Sequence, residues 1–199
     1  MSPASLRWIA LSALGLSAGV GIAVALEDPI GALVGMVLVT PALTLLAGAI
    51  LGAVQWIELR RHVELAGRWL LSTALGLGFG LAAGVVLLEV VGELVTGQPM
   101  RLLQQAPLPR ALSFLILGAI SGLCLGFAQR LMLRRAPRLP SNWPLLSACG
   151  LGLGFPAGSL LADTVLSGLT SPAGLLALVV VSGAVLGTFT ARPVARAAV

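Results

Sequence analysis

Six long apolar stretches, separated by short polar segments, dominate the pattern of hydrophobic and polar positions along this chain. A helix needs roughly 20 residues, each rising about 1.5 Å, to cross a hydrocarbon core about 30 Å thick. The six stretches cover residues 6–26, 30–57, 69–95, 111–133, 143–169 and 173–191. The pattern predicts an all-α integral membrane protein in which residues 1–199 form one domain of six transmembrane helices. Pro41 and Pro156 are expected to kink the second and fifth helices.

The composition excludes several classes of protein. Hydrophobic residues make up 58% of the chain and charged residues 10%, whereas about a quarter of an average soluble protein is charged. The chain has no lysine, which excludes Schiff-base chemistry and a P-loop nucleotide site. Cys124 and Cys149 lie within apolar stretches, so we expect small apolar residues there and no disulfide framework.

The arginines predict the orientation of the helices. If every stretch crosses once, ten of the twelve arginines share one side with both termini, and only Arg101 and Arg110 lie opposite. Arginine-rich loops stay in the cytoplasm, so both termini are predicted to be cytoplasmic. The arginines form short clusters between apolar stretches, which is a topology signal and does not indicate a nucleic-acid partner. The first stretch also resembles a signal peptide, but its match to later stretches favours retention.

The sequence pattern of a helical hairpin occurs three times, over residues 6–61, 69–135 and 143–196. The first helix of each hairpin carries a tryptophan, a Leu-Ser pair and two glycines spaced by four. The return helix carries a Gly-Ala pair and a further glycine, at Gly48-Ala49 and Gly52, Gly118-Ala119 and Gly122, and Gly183-Ala184 and Gly187. Because each copy would begin and end inside, the repeats are parallel and predict a pseudo-threefold axis along the membrane normal.

Glycines spaced by four recur on every predicted helix and form smooth faces at which backbones can approach closely in lipid. Packing within the bundle would account for all of these faces. Any surplus face could receive a partner helix, a lipid or a flat pigment.

Four acids near the outer helix ends, Glu27, Glu89, Glu93 and Asp163, are the first candidates for chemistry. Acids inside membranes are costly and often functional, so these could form an outer carboxylate ring that binds a cation or relays protons. They also lie close enough to the interface to be solvated helix caps. Glu89 and Glu93 share a helix face, so we expect one of them to meet water or Arg101.

Gln55 and Gln129 occupy similar places one turn before Arg pairs, and predict either hydrogen bonds between helices or a polar lining at the cytoplasmic mouth of a pathway. His62 is the only histidine. A single imidazole cannot build a zinc site, so no metal is expected, although His62 could bind a haem or chlorin held by a neighbouring subunit. We find no nucleophile with a plausible base, so the chain is not expected to be an enzyme.

The inner loops are expected to contact lipid headgroups. Trp8, Trp69 and Trp143 mark an inner interfacial belt, with Trp56 close by. Arginines in the two inner loops should attract anionic headgroups. These are Arg60, Arg61, Arg68, Arg134, Arg135 and Arg138.

The segments Gly48-Ala-Ile-Leu-Gly52, Gln55-Trp56 and Leu59-Arg60-Arg61, followed by Trp69, resemble small multi-pass bacterial membrane proteins of unknown function. The resemblance covers the central hairpin and its repeat. It implies a bacterial cytoplasmic (inner) membrane protein and no particular activity.

Three functions are compatible with these features. The first is a non-catalytic membrane subunit or scaffold that packs against other membrane components, or against itself, through glycine-rich helix faces. The second is a small transporter or channel for an ion, proton or amphiphile, with the acids as its outer ring. The third is a pigment- or quinone-binding accessory subunit of a membrane complex.

Overall fold

The structure is a computed structural model that describes residues 1–34, 36–60, 66–97, 106–132, 140–165, 169 and 171–197. Within the helices, the side chains of residues 31–40, 66, 95, 96, 165 and 192–197 are outside this description. The described residues form seven α-helices: α1 (Pro3–Ala25), α2 (Glu27–Val34), α3 (Met36–Leu59), α4 (Ala66–Thr96), α5 (Pro107–Met132), α6 (Trp143–Val165) and α7 (Pro172–Ala197).

Six of these helices are long and apolar enough to cross a membrane, which confirms the predicted all-helical, multi-pass architecture. Residues 30–34 and 36–57 of the stretch predicted as one helix are helical, in α2 and α3, and residue 35 between them lies outside the described residues. The candidate span within α3 covers Pro41–Leu59. Pro41 and Pro156 lie inside α3 and α6 as expected.

Local capping explains where several helices begin and end. The Ser2 hydroxyl accepts a hydrogen bond from the Ser5 N–H (3.2 Å), and the Ser171 hydroxyl accepts one from the Gly174 N–H (3.0 Å). These side chains satisfy N–H groups that have no partner within the first helical turn. Gly97 follows α4 with φ of 67°, a left-handed conformation that favours glycine and ends the helix.

The six long helices form a closed ring. In order around it, α1 contacts α3, α3 contacts α4, and the series continues through α5, α6 and α7 back to α1. The short helix α2 packs mainly on α3. Within the described segments, no pair of helices makes contact across the ring. Each long helix therefore has two long-helix neighbours, and the remainder of its surface faces either the axis or the outside.

Glycine allows close contact of backbones at every interface of the ring. A Cβ atom added to one glycine at each interface would lie 2.6 to 3.1 Å from a Cα atom of the adjacent helix, which is closer than carbon atoms normally approach. The facing positions are Gly15 and Leu51, Gly48 and Ala74, Gly80 and Ser121, Gly122 and Ala148, Gly154 and Ser182, and Gly183 and Ala13.

Neighbouring helices are antiparallel around the whole ring. On α1, Gly15 faces Leu51 and Gly19 faces Ala47, so residue numbers rise on one helix as they fall on the other. The same reversal occurs at the other five interfaces. The beginning of α1 and the ends of α3, α5 and α7 therefore lie at one end of the ring, which we call the tryptophan end because it holds Trp8, Trp69 and Trp143.

The centre of the ring is filled by one leucine from each long helix. These six side chains are 0 to 2% exposed and belong to one apolar cluster: Leu16, Leu51, Leu77, Leu125, Leu151 and Leu186. Larger side chains such as Phe79, which is 67% exposed, point away from the ring. The bundle therefore has a packed apolar core and an apolar outer surface, as expected for a protein in lipid.

The glycines that the sequence places in four-residue series are used within the chain. Every described member outside residues 31–35 lies close to another helix of the same ring. Gly21 differs, since a Cβ at this position would meet nothing within 4 Å. The glycines of these series, residues 31–35 apart, therefore lie at contacts within the ring.

Replacing Gly80 by alanine is predicted to destabilise the bundle. The new methyl group would lie 2.6 Å from the Ser121 Cα, so α4 and α5 would have to separate. Overpacking of this kind typically costs about 1–3 kcal/mol. The measurement is reversible unfolding in mixed detergent micelles.

Gly21→Ala is the matched control, because it adds the same methyl group on α1 where there is open space. Its unfolding midpoint should equal or slightly exceed that of the unaltered protein. Equal losses of stability in Gly80→Ala and Gly21→Ala would contradict the close backbone contact between α4 and α5.

Candidate functional site

Three indole rings meet at the tryptophan end of the ring. Trp8, Trp69 and Trp143 are 1 to 2% exposed and come from α1, α4 and α6. The ring centroids of Trp8 and Trp69 are 5.9 Å apart and those of Trp69 and Trp143 are 6.0 Å apart, both in edge-to-face geometry. Rings arranged in this way attract each other by about 0.5–1.5 kcal/mol per pair beyond their burial. The indoles lie within the bundle and do not form the interfacial belt that the sequence predicts.

Each indole N–H donates a hydrogen bond to a side chain of an adjacent helix. A buried indole needs such a partner, because an N–H group left without one in an apolar core costs free energy. The acceptors lie on α7, α3 and α5. The bonds are Trp8 Nε1 to Thr190 Oγ1 (2.8 Å), Trp69 Nε1 to Gln55 Oε1 (3.1 Å) and Trp143 Nε1 to Gln129 Oε1 (2.8 Å).

The two glutamines continue these bonds to a third helix. Gln55 Nε2 donates to the Ser12 hydroxyl on α1 at 3.0 Å, and Gln129 Nε2 donates to the Thr73 hydroxyl on α4 at 3.0 Å. Gln55 therefore links α3 to both of its neighbours, and Gln129 does the same for α5. Both amides are 2 to 3% exposed. Hydrogen bonds between membrane helices stabilise them by about 0.6–2 kcal/mol each.

The outer acids do not form one cluster in the part of the chain that the structure describes. Glu27, Glu89 and Glu93 are exposed. Asp163 forms a salt bridge with Arg110 of α5, and both side chains are about nine-tenths buried. No group of three or more His, Cys, Asp or Glu side chains among the described residues is arranged to hold a metal ion.

The Asp163–Arg110 pair is a feature that the sequence does not predict. The sequence suggests water or Arg101 as the partner of Glu89 or Glu93 and names no partner for Asp163, and Arg101 lies outside the described residues. The pair joins the end of α6 to the start of α5, next to an edge-to-face contact between Phe114 and Phe155 at 6.3 Å. It closes the α5/α6 interface at the end opposite the tryptophans.

The basic residues at the tryptophan end are exposed where they are described. This applies to Arg7, Arg60, Arg68 and Arg130. The Arg60 guanidinium lies over the Trp56 ring at 5.3 Å from its centroid. The remaining predicted residues of this end lie outside the described residues: Arg61, His62, Arg134, Arg135 and Arg138.

The sequence analysis does not identify the hydroxyls that accept hydrogen bonds from the indole and glutamine side chains. These are Ser12, Thr73 and Thr190. Ser12 and Thr73 each follow a tryptophan by four residues, so each hydroxyl lies on the same face of its helix as that tryptophan. The Leu-Ser pair of the first hairpin matches Ser12 with Ser72 of the second hairpin. The Ser72 hydroxyl, however, donates to the Trp69 carbonyl of its own helix. A second signal is the separation of Gln55 from Trp69 and of Gln129 from Trp143, which is 14 residues in both cases.

Comparison with known proteins gives no family for this chain. No protein-family model matches it, and no curated protein or solved structure matches it either. Its function is therefore inferred from the geometry of the bundle.

Replacing Gln129 by leucine is predicted to destabilise the bundle by about 1–3 kcal/mol. The change removes the acceptor of the Trp143 N–H and the donor to Thr73, and leaves a buried indole N–H without a partner. The measurement is the free energy of unfolding in mixed micelles.

Thr188→Ala is the control for this variant, since the exposed Thr188 hydroxyl bonds, among the described residues, only to the Ala184 carbonyl of its own helix. This control should change stability by less than about 0.5 kcal/mol. A Gln129→Leu protein as stable as the control would show that the network does not hold the helices together.

Proposed function

We propose that this chain is a non-catalytic polytopic membrane subunit or scaffold that supplies a sealed, self-contained helical body to a larger membrane assembly. The observation that carries the proposal is the filled axis, with three hydrogen-bonded indoles at one end and a layer of six leucines beside them. Protein interiors packed in this way transmit force and resist opening.

The hydrogen bonds of the buried polar groups support a structural role. Gln55 and Gln129 bridge three helices each. The buried hydroxyls of Ser121 and Thr190 donate to carbonyls of their own helices, and Thr190 also accepts from Trp8. Catalysis and transport require polar groups that can exchange their partners for a substrate, whereas these groups are committed to helix contacts.

The outer surface is the proposed site of contact with other membrane components. The glycine faces are covered by neighbouring helices of the same ring, so a partner would have to meet large apolar side chains. Such side chains occur all round the ring and include Leu14, Phe79, Leu115, Phe127, Leu153 and Leu176. This changes the proposal that the sequence suggests, in which the glycine faces themselves receive the partner.

Three parallel hairpin repeats are proposed as the origin of the ring. Support comes from contacts that recur at three interfaces, where a glycine of the return helix approaches an alanine of the next helix: Gly48 and Ala74, Gly122 and Ala148, and Gly183 and Ala13. The sequence alignment pairs Gly48 with Gly118, but Gly118 approaches Leu151, one turn away from Ala148. The contacts therefore favour Gly122 as the counterpart of Gly48.

The orientation and location of the protein are proposed from charge. Exposed arginines collect at the tryptophan end, and Glu27, Asp28, Glu89 and Glu93 lie toward the other end. From the positive-inside rule we infer that the tryptophan end and both termini are cytoplasmic. The resemblance of the central hairpin to bacterial membrane proteins supports the proposal that the membrane is a bacterial cytoplasmic membrane. Anionic lipid headgroups are the proposed partners of Arg60, Arg68 and their neighbours.

Labelling of single cysteines tests the orientation. In a background with Cys124 and Cys149 replaced by alanine, Ala106→Cys at the opposite end should react with a membrane-impermeant maleimide added to intact spheroplasts. Asn142→Cys, near the tryptophan end, should react only after lysis. Both positions are exposed. The reverse pattern would refute the proposed orientation, and labelling of both positions from one side would refute the antiparallel ring.

Reconstitution and affinity isolation test the function. Proteoliposomes should show no more proton, sodium or potassium flux than vesicles with an unrelated six-helix protein. Isolation in native lipid particles should recover a reproducible membrane-protein partner or a homo-oligomer that the unrelated protein does not recover. Flux that disappears in Glu89→Gln/Asp163→Asn would establish the transporter alternative. A stoichiometric pigment or quinone would establish a cofactor-binding subunit, and a monomer without partners would refute the scaffold.

A further inference from the structure

A small cavity of about 10 Å³ lies among the side chains of the tryptophan network. Aromatic, amide, hydroxyl and leucine side chains line it. The polar ones are Gln55, Gln129, Ser147 and Thr190. A cavity needs roughly 10–15 Å³ by this measure to hold one water molecule. The cavity is thus close to the size of a single water.

The tryptophan network consists of three sets, each with one indole N–H and its acceptor. The cavity lies where one set differs from the other two. Gln55 and Gln129 each accept from an indole and donate to a hydroxyl on the preceding helix. Thr190 accepts from the Trp8 indole in the same way. The hydroxyl on the helix that precedes α7 is Ser147, and the threonine side chain is too short to extend to it as a glutamine does.

Ser147 is 0% exposed, and its Oγ has no hydrogen-bond partner among the described residues. An isolated hydroxyl in an apolar medium costs about 1–3 kcal/mol. Ser12 and Thr73, which lie at the matching positions after Trp8 and Trp69, both accept from a glutamine. Ser147 lines the cavity, so its unpartnered hydroxyl and the free volume occur at the same place.

We propose that one water molecule is bound in this cavity and supplies to Ser147 the hydrogen bond that a glutamine supplies to Ser12 and Thr73. Thr190 Oγ1, Gln55 Oε1 and Gln129 Oε1 each have two lone pairs, of which an indole N–H uses one. Such a water can donate one of its two protons to Ser147 Oγ and the other to Thr190 Oγ1 or to a glutamine Oε1. Buried waters typically make about three such bonds. This inference depends on the contacts alone and is independent of the proposed scaffold function.

Crystals of the full chain grown in a lipid phase, at a resolution that shows ordered water, test the proposal directly. The expected result is a density peak within hydrogen-bond distance of Ser147 Oγ in the unaltered protein. In Thr190→Gln the glutamine amide should replace that peak. A dry cavity would overturn the proposal.

Unfolding equilibria provide a second test that needs no crystal. Thr190→Gln should raise the folding equilibrium constant roughly threefold to tenfold, since it replaces a bound water with a direct bond between α7 and α6. Adding Ser147→Ala should remove this gain, because the glutamine then has no hydroxyl to donate to. The proposal would be contradicted if the folding constant stayed raised in the double variant, or fell in Thr190→Gln. Either result would show that Ser147 does not lack a hydrogen bond from α7.

Gln129→Thr is the matched reverse variant, because it copies the arrangement of α7 into α5. It should lower the folding constant by a similar factor and produce a second water-sized cavity beside Thr73. Ser147→Ala alone should reduce stability if the water is present, because the water loses a partner. An unchanged or increased stability in Ser147→Ala would show that the serine hydroxyl has no bound partner.

Discussion

Close contact between helix backbones is the constraint on which this structure depends. Helices in lipid gain little from burying apolar side chains against one another, because the lipid chains are equally apolar. Stability must come from many short-range contacts, and these increase steeply when glycine removes the side chain that separates two helices. Gly122 shows this most directly, since a Cβ at that position would lie 2.6 Å from the Cα of Ala148. Every interface of the ring repeats this arrangement.

Contacts of this kind fix the distance between helices but not their relative heights, because glycines recur every turn. The tryptophan network supplies that information. Gln129 can reach both Thr73 and Trp143 only when α4, α5 and α6 stand at one relative height. A slip of one turn, about 5.4 Å, would break both bonds. The apolar leucine layer fills the axis, and the polar groups at one end determine the register of the helices around it.

The sequence predicts the helices well because membrane crossing requires long apolar runs, and it predicts the glycine contacts because spacing by four produces a face. It does not predict which polar residues meet. Asp163 has an Arg partner on α5, and Trp8 has a threonine partner 182 residues away, and both depend on the order of helices around the ring.

The contact between α1 and α7 joins the two long helices that are farthest apart in the described sequence. The indole of Trp8 gains its acceptor, Thr190, only when α7 packs beside α1. Until then α1 exposes its Ser12–Ala13 backbone, which Gly183 later covers. Without α7, the other five long helices would form an open arc with two uncovered edges, one on α1 and one on α6. Closure of the ring therefore depends on α7, which covers both edges at once.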